Sequence, residues 1–161
     1  MTHLPDYILS ETNLLQLAAI VGKNYFATDI ESQEKYGHDQ TECLLFYPNV
    51  ILKPGTVEEI SQIMAFCNQH KIPVTPRGAG TGLSGGALPH LGGVLISTER
   101  LNNIIQIDER NLQVTTEPGV ITEELQNAVK KKGLFYPPDP SSRGSCFIGG
   151  SISANSGDPK R

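Results

Sequence analysis

The sequence predicts an α+β domain, on three observations. Apolar residues recur at helical spacing over 57–69 and change to an extended pattern at Lys71. The run GGVLIST (92–98) is short and almost wholly apolar, as a strand buried on both faces would be. Two further extended runs, 104–108 and 112–117, flank the polar turn of Glu109, Arg110 and Asn111 and predict an antiparallel hairpin.

Taken in chain order, residues 7–21 predict a helix: Leu14, Leu17, Ala18 and Val21 fall at helical spacing, and Gly22 can terminate it. The stretch 23–48 is mixed and polar and reads as a loop-rich connection. NVILKPGT (49–56) is a short apolar strand followed by a Pro-Gly turn. Thr56 and Glu59 make the capping-box spacing that starts a helix. Its apolar face is Val57, Ile60, Ile63, Met64 and Cys67, and it ends near His70. IPVT (72–75) is a strand that runs straight into PRGAGTGLSGGA (76–87). The strands 49–53, 72–75 and 93–98 are expected to form a small mixed sheet carrying the helix 57–69. In the hairpin, Leu112 and Val114 alternate with polar residues, so one face should be wet. Thr122 reads as the cap of a helix over 123–132. Glu123 and Glu124 at its start and Lys130, Lys131 and Lys132 at its end suit the helix dipole, which is reason enough for the lysine run. Gly133 stops that helix. Three prolines then stiffen YPPDPSS (136–142), and Gly149 and Gly150 form a second glycine pair.

Bulk properties narrow the function classes. With 161 residues, 38% hydrophobic and 19% charged, the chain suffices for one domain with its own core. A net charge of −4 counts against a general nucleic-acid binder, which needs a basic face. No apolar run approaches the roughly 20 residues of a membrane-spanning helix. The opening MTHLPDYILSETN has no basic stretch followed by an apolar core, so no secretory leader is expected. Cys43, Cys67 and Cys146 are few and far apart, which suits reduced thiols and a cytoplasmic setting better than a disulfide framework. Cys67 falls on an apolar helix face and reads as packing. His3, His38, His70 and His90 show no metal-ligand spacing.

The loop 76–87 is the most distinctive feature. Clustered glycines admit positive φ and let a backbone approach a ligand closely, so such a loop can aim several N–H groups at phosphate oxygens. A flexible linker is the alternative, but linkers are not usually entered from a tight apolar strand. Gly80, Gly82 and Gly85 match G-x-G-x-x-G, yet the context of a dinucleotide fold fails: its third glycine opens a helix, whereas Pro89, Gly92 and Gly93 follow here. A Walker loop needs Gly-Lys-Ser/Thr, and no lysine lies between Lys71 and Lys130.

The pairing of PRGAGTGLSGGA with a later PPDPSS…IGGSISANSG resembles the FAD-linked oxidases of the vanillyl-alcohol-oxidase type, with a PCMH-type FAD-binding domain, near the D-lactate dehydrogenase and glycolate oxidase FAD-subunit branch. The likeness covers about residues 20–161. It implies an α+β flavin domain of two small subdomains with FAD stretched between them. Residues 1–22 would be an N-terminal helix, about 45–100 the first subdomain, and about 101–161 the start of the second. By this resemblance the backbone of Gly78, Ala79, Gly80, Thr81 and Gly82 holds the pyrophosphate, Ser84 adds a hydroxyl, and Gly86 and Ala87 line the same wall. Pro138, Asp139, Ser142, Gly149 and Gly150, with Ser153 and Asn155, would sit against the isoalloxazine and ribityl part. Two readings stand for Arg77: balancing phosphate charge, or bracing the loop by pairing with a carboxylate. The sequence departs from the family pattern at Ser151 and at Gly157 and Asp158, where the family usually has Asn and Gly-Gly.

Some relatives attach flavin through His or Cys, but neither His90 nor Cys146 matches that usage, so FAD is expected to bind non-covalently. Relatives run on well past residue 161, so the chain is expected to be a C-terminally truncated FAD-binding fragment without the catalytic substrate domain, inactive alone on the small 2-hydroxy acid of the full-length enzyme. It would act with a partner subunit or as a homo-oligomer. The alternative is a non-catalytic module that binds flavin, nucleotide or a partner.

Overall fold

The computed structural model describes residues 2–3 and 8–156. Tyr7 and the departure at Gly157 and Asp158 lie outside the described residues. The first elements are β1 (Thr2–His3), α1 (Glu11–Val21), β2 (Phe26–Ala27), α2 (Ile30–Tyr36) and β3 (Leu45–Phe46). β4 (Val50–Leu52), α3 (Val57–His70), β5 (Val74–Arg77) and β6 (Val94–Ser97) follow. The chain continues through β7 (Ile104–Asp108), β8 (Gln113–Thr116), α4 (Thr122–Lys130) and α5 (Ile148–Ser153). No helix among the described residues is long and apolar enough to cross a membrane.

The central sheet has the order β2-β4-β6-β5. β4, β6 and β5 run parallel, and β2 closes one edge antiparallel, so the expected mixed sheet is present. Alternation sorts its side chains. Val50, Leu52, Val94 and Ile96 meet Leu17 and Val21 of α1 and Ile63 and Cys67 of α3. Ile51 and Leu95 face the other way, onto Tyr36 of α2. Every residue of β4 and β6 is buried, as a strand covered on both faces requires. A second core gathers Val120, Leu125, Val129 and Ile148, with Ile104, Ile107 and Val114 of the β7–β8 hairpin packed against it. That hairpin is antiparallel, with an irregularity between Ile104 and Gln106.

Several elements differ from expectation for identifiable reasons. α1 begins at Glu11, because Ser10 stays extended and its hydroxyl caps the Asn13 N–H at 3.2 Å. The stretch 23–48 is not simply loop: Asp29 caps Ser32 N at 2.8 Å and starts α2, and β2 completes the sheet edge. On α3, Thr56 caps Glu59 as expected, but Val57 and Met64 are exposed, and the buried stripe is Ile63 and Cys67 with Phe66 beside it. β5 lies two residues later than expected, extending through Arg77 because it pairs with β6 as far as Ser97. Leu112 is exposed at φ 55, in the hairpin turn rather than the strand. Ile121, not Thr122, holds the cap position of α4; Thr122 is buried, with its Oγ1 3.2 Å from Cys146 Sγ. α4 ends at Lys130, before Gly133. Gly149 and Gly150 lie within the short helix α5, which their low helix propensity hides.

Candidate functional site

The parallel strands deliver the site. Lys53 follows β4, Arg77 ends β5, and Ser97 and Glu99 end and follow β6, so four polar side chains collect at the carboxyl ends of adjacent parallel strands. Open parallel sheets bind ligands at that end.

The glycine loop leaves β5 there, and it is tethered rather than loose. Thr98 N donates to Arg77 O at 3.0 Å. The connection after α2 grips the loop twice: Gln40 N donates to Gly82 O at 3.0 Å, and Gly85 N donates to Thr41 Oγ1 at 2.9 Å. Gly80 sits at φ +72, a conformation natural to glycine. No helix starts at Gly85, where the chain turns and Leu88 N donates to Gly85 O. Among the described residues the N–H groups of Gly78, Ala79, Gly80, Thr81 and Gly82 have no acceptor. A run of unpaired amides on a tethered loop is a donor set for an anion. Ser84 and Gly82 are exposed, while Gly86 and Ala87 continue the turn, and a Cβ at Gly82 or Gly86 would meet nothing within 4 Å.

The second glycine motif comes to the same place. Ile148 N donates to Val120 O and Gly149 N to Pro118 O, each at 2.9 Å, which docks the start of α5 on the segment before α4. A Cβ at Gly78 would lie 3.8 Å from Gly150 Cα and 3.8 Å from Phe147. The two loops are thus in van der Waals reach of each other, 72 residues apart in sequence (150 − 78). Within the motif the residues have different surroundings. Gly149 is pressed onto Pro118, whose Cβ is 2.6 Å from where a Gly149 Cβ would be, whereas Gly150 is open. The Pro138 carbonyl accepts from Gln126 Nε2 at 2.8 Å, and the Asp139 carboxylate accepts from Arg143 Nη1 at 3.1 Å. Ser142 O accepts from Cys146 N at 2.8 Å. Ser153 and Asn155 are exposed, with Ser153 Oγ donating to Gly149 O at 2.9 Å.

Between the two motifs lies a cleft of about 250 Å³ lined by Lys35, Tyr36, Arg77, Gly78, Ala79, Glu99, Ser145 and Phe147. Neither His90 nor Cys146 lines it. Arg77 is 7% exposed, and its Nη1 is buried without a hydrogen-bond partner. No carboxylate among the described residues lies within ion-pair distance of it. Its guanidinium lies over the Tyr36 ring, 5.6 Å from the centroid, and directly under Gly80. Burial pushes the Arg77 pKa down, and the charge of Asp39 works against that shift. Tyr36 Oη donates to Glu99 Oε2 at 2.7 Å, Ser97 Oγ to the same oxygen at 3.0 Å, and Lys53 Nζ pairs with Glu99 Oε1 at 2.8 Å. Burial raises the Glu99 pKa, but the hydrogen bonds from Lys53 and Tyr36 and the Lys53 charge outweigh it, so the carboxyl titrates below its usual value. Sequence reading missed Tyr36, Lys53, Asp39, Glu99 and Phe147; only Phe147, next to the Gly-Gly pair, carried a local signal.

This donor set fits a phosphate-bearing cofactor: unpaired amides, a buried cation with an unused N–H, and glycines that leave room beside them. Comparison with known proteins agrees. The chain is 42% identical over 142 residues to glycolate oxidase subunit GlcD of Bacillus subtilis, covering 88% of this chain and 30% of that one. It is 36% identical over 145 residues to D-2-hydroxyglutarate dehydrogenase of Stutzerimonas stutzeri, covering 90% of this chain and 31% of the relative. The chain therefore spans about a third of the length of these curated relatives. An alkyldihydroxyacetonephosphate synthase structure superposes with a TM-score of 0.81 at 19% identity over 98% of this chain and 36% of that one, which shows the shared fold. The model of the FAD binding domain family matches residues 48–161, a span that holds both glycine motifs and most of the cleft between them, and the chain belongs to that family.

Proposed function

We propose that this chain is the FAD-holding part of an oxidoreductase acting on a small 2-hydroxy acid of the D-lactate or glycolate type, with FAD bound non-covalently. One observation carries the reading: the loop whose amides 78–82 are unpaired meets the second glycine motif at Gly78, Gly150 and Phe147, beside a cleft that Gly78, Ala79, Ser145 and Phe147 help to line. Gly78, Ala79, Gly80, Thr81 and Gly82 would hold the pyrophosphate through their amides, with Ser84 adding a hydroxyl and Gly86 and Ala87 forming the wall. Arg77 would offset phosphate charge from beneath. Gly150 would leave space for the ribityl and ring portion, beside Pro138, Asp139 and Ser142, with Ser153 and Asn155 at the outer end of α5. The bound flavin supplies hydride acceptance, while the protein contributes orientation and electrostatics. The names of the glycolate oxidase and D-2-hydroxyglutarate dehydrogenase relatives support the 2-hydroxy acid class. A cytoplasmic setting, and assembly with a partner subunit or a second copy, belong to the same reading.

The test is reconstitution. Purified chain mixed with FAD should quench flavin fluorescence saturably, and acid precipitation should release all the flavin into the supernatant. Flavin remaining with the precipitate would overturn non-covalent binding, and no saturable quenching would overturn the cofactor role of this chain. Bleaching of the flavin by glycolate, D-lactate or D-2-hydroxyglutarate, measured in the whole protein, tests the substrate class; bleaching by none of them would overturn it.

A further inference from the structure

Beneath the glycine loop, Arg77 belongs to a polar cluster whose other members have no part in the function proposed above. That cluster has an unusual composition. Three cations surround one buried aromatic ring: Lys35 Nζ at 5.7 Å, Lys53 Nζ at 5.0 Å and Arg77 Cζ at 5.6 Å from the Tyr36 centroid. Tyr36 is itself fixed by its hydroxyl on Glu99, and Glu99 is fixed by Lys53 and Ser97. Lys53 and Glu99 therefore satisfy each other, while Arg77 has the ring on one side and Gly80 on the other. A Cβ at Gly80 would fall 2.6 Å from Arg77 Cζ, so the loop backbone rests on the guanidinium itself. Asp39 Oδ1 accepts from Thr41 N at 2.8 Å, and Thr41 in turn holds Gly85, so the same connection that carries Asp39 anchors the far end of the loop.

From this we infer that Tyr36 is a positioning residue for the phosphate loop: its ring, locked by Glu99, seats Arg77 under Gly80, and the seated guanidinium sets the shape of 78–82. The inference rests on reading 78–82 as the phosphate cradle. It assigns the cation–π contact, rather than an ion pair, as the link between α2 and the loop. Such a contact is preferred here because an ion pair would neutralise Arg77, whereas an aromatic face holds the cation and leaves its N–H groups available. It also fits Nη1 being buried and unpartnered: the group lies over a ring, with no carboxylate among the described residues within ion-pair distance.

Four variants of this chain test it: Tyr36→Leu, Tyr36→Phe, Arg77→Ala and the double variant of Tyr36→Leu with Arg77→Ala. The first readout needs no flavin. Amide exchange at Gln40, Gly85 and Leu88, the hydrogen-bonded amides at the loop, is followed by NMR, with the α4 amides of Leu125 and Val129 as reference. Tyr36→Leu and Arg77→Ala should each speed exchange at the loop amides about tenfold relative to α4, while Tyr36→Phe, which keeps the ring, should stay within about threefold of wild type. The double variant should equal Arg77→Ala, because the ring acts only through the guanidinium. FAD affinity should follow the same order. Unchanged loop exchange in Arg77→Ala overturns the inference, as do additive effects in the double variant. Tyr36→Phe as damaging as Tyr36→Leu overturns it too, since the hydroxyl network rather than the ring would then be responsible. If wild type shows no FAD binding, the cofactor reading fails on its own, and the exchange data still decide whether Tyr36 seats Arg77.

Discussion

Replacing Gly80 by valine separates the shape of the loop from its chemistry. Residue 80 lies at φ +72, where a β-branched residue is a steric outlier. Its Cβ would point inward at Arg77, with the guanidinium carbon 2.6 Å away, so the side chain collides with a buried cation before it reaches any ligand. Backbone strain of this kind costs about 1–3 kcal/mol. At about 2 kcal/mol the melting temperature of a chain this size falls by roughly 4–8 °C. Displacing Arg77 disturbs the amides of 78–82, so FAD binding should be lost as well. The companion variant is Gly82→Ala: its Cβ meets nothing within 4 Å and φ is not positive, so the melting curve should not move. If Gly80→Val melts within about one degree of wild type, residue 80 is not held at positive φ over Arg77 and the reasoning fails. If it melts lower but binds FAD with unchanged affinity, the loop is only a turn.

Gly149→Ala should destabilise by about 1–3 kcal/mol in a thermal melt because its methyl would press on Pro118, whereas Gly150→Ala, in open space within α5, should stabilise by up to about 1 kcal/mol and yet weaken FAD binding. Thr56→Ala removes the cap that Glu59 N uses at 3.1 Å and should cost about 1 kcal/mol, read as a lower urea midpoint with an unchanged slope. Glu99 has a lowered folded pKa, so its contribution is present above the unfolded carboxyl pKa, about 4.3, and is lost as pH falls through the lower folded value. Glu99→Gln should therefore lower the neutral plateau of a stability-against-pH curve and flatten its acid limb below about pH 4.3, and an unaltered acid limb would refute the assignment. Lys53 shifts the other way: burial lowers its pKa, but the hydrogen bonds and charge of Glu99 and Tyr36 raise it overall, so its contribution fades only as pH rises above about 10.4.

What the sequence made legible depends on whether an element carries its own pattern. α3 and β6 are legible because each buries a continuous stripe or run against the sheet, and burial of that kind leaves a period in the chain. The hairpin is legible because a polar turn separates two extended runs. α2 has seven residues and buries only Tyr36 within them, so it has no stripe to read, and its capping pair is Asp29 with Ser32 rather than a Ser/Thr with Glu. A threonine before two glutamates looks like a cap, whereas Thr122 is buried against Cys146 through a contact made 24 residues away, which no local pattern shows.

The candidate site divides along the same line. A glycine at positive φ, or one in contact with another backbone, is a local demand, and local demands are met by residue type at the position itself. That is why 76–87 and Gly149–Gly150 stood out without knowledge of the fold. Seating a cation is a non-local demand. Arg77 is met by a ring from α2, the ring is held by a carboxylate after β6, and the carboxylate is paired with a lysine after β4. Each of these residues is unexceptional in its own stretch, and only the parallel order β4-β6-β5, which brings three strand ends side by side, makes them one cluster. The electrostatics of the loop are thus a property of sheet topology. A change at Tyr36, a residue 42 positions before Gly78 (78 − 36), should reach the cradle through the guanidinium it seats.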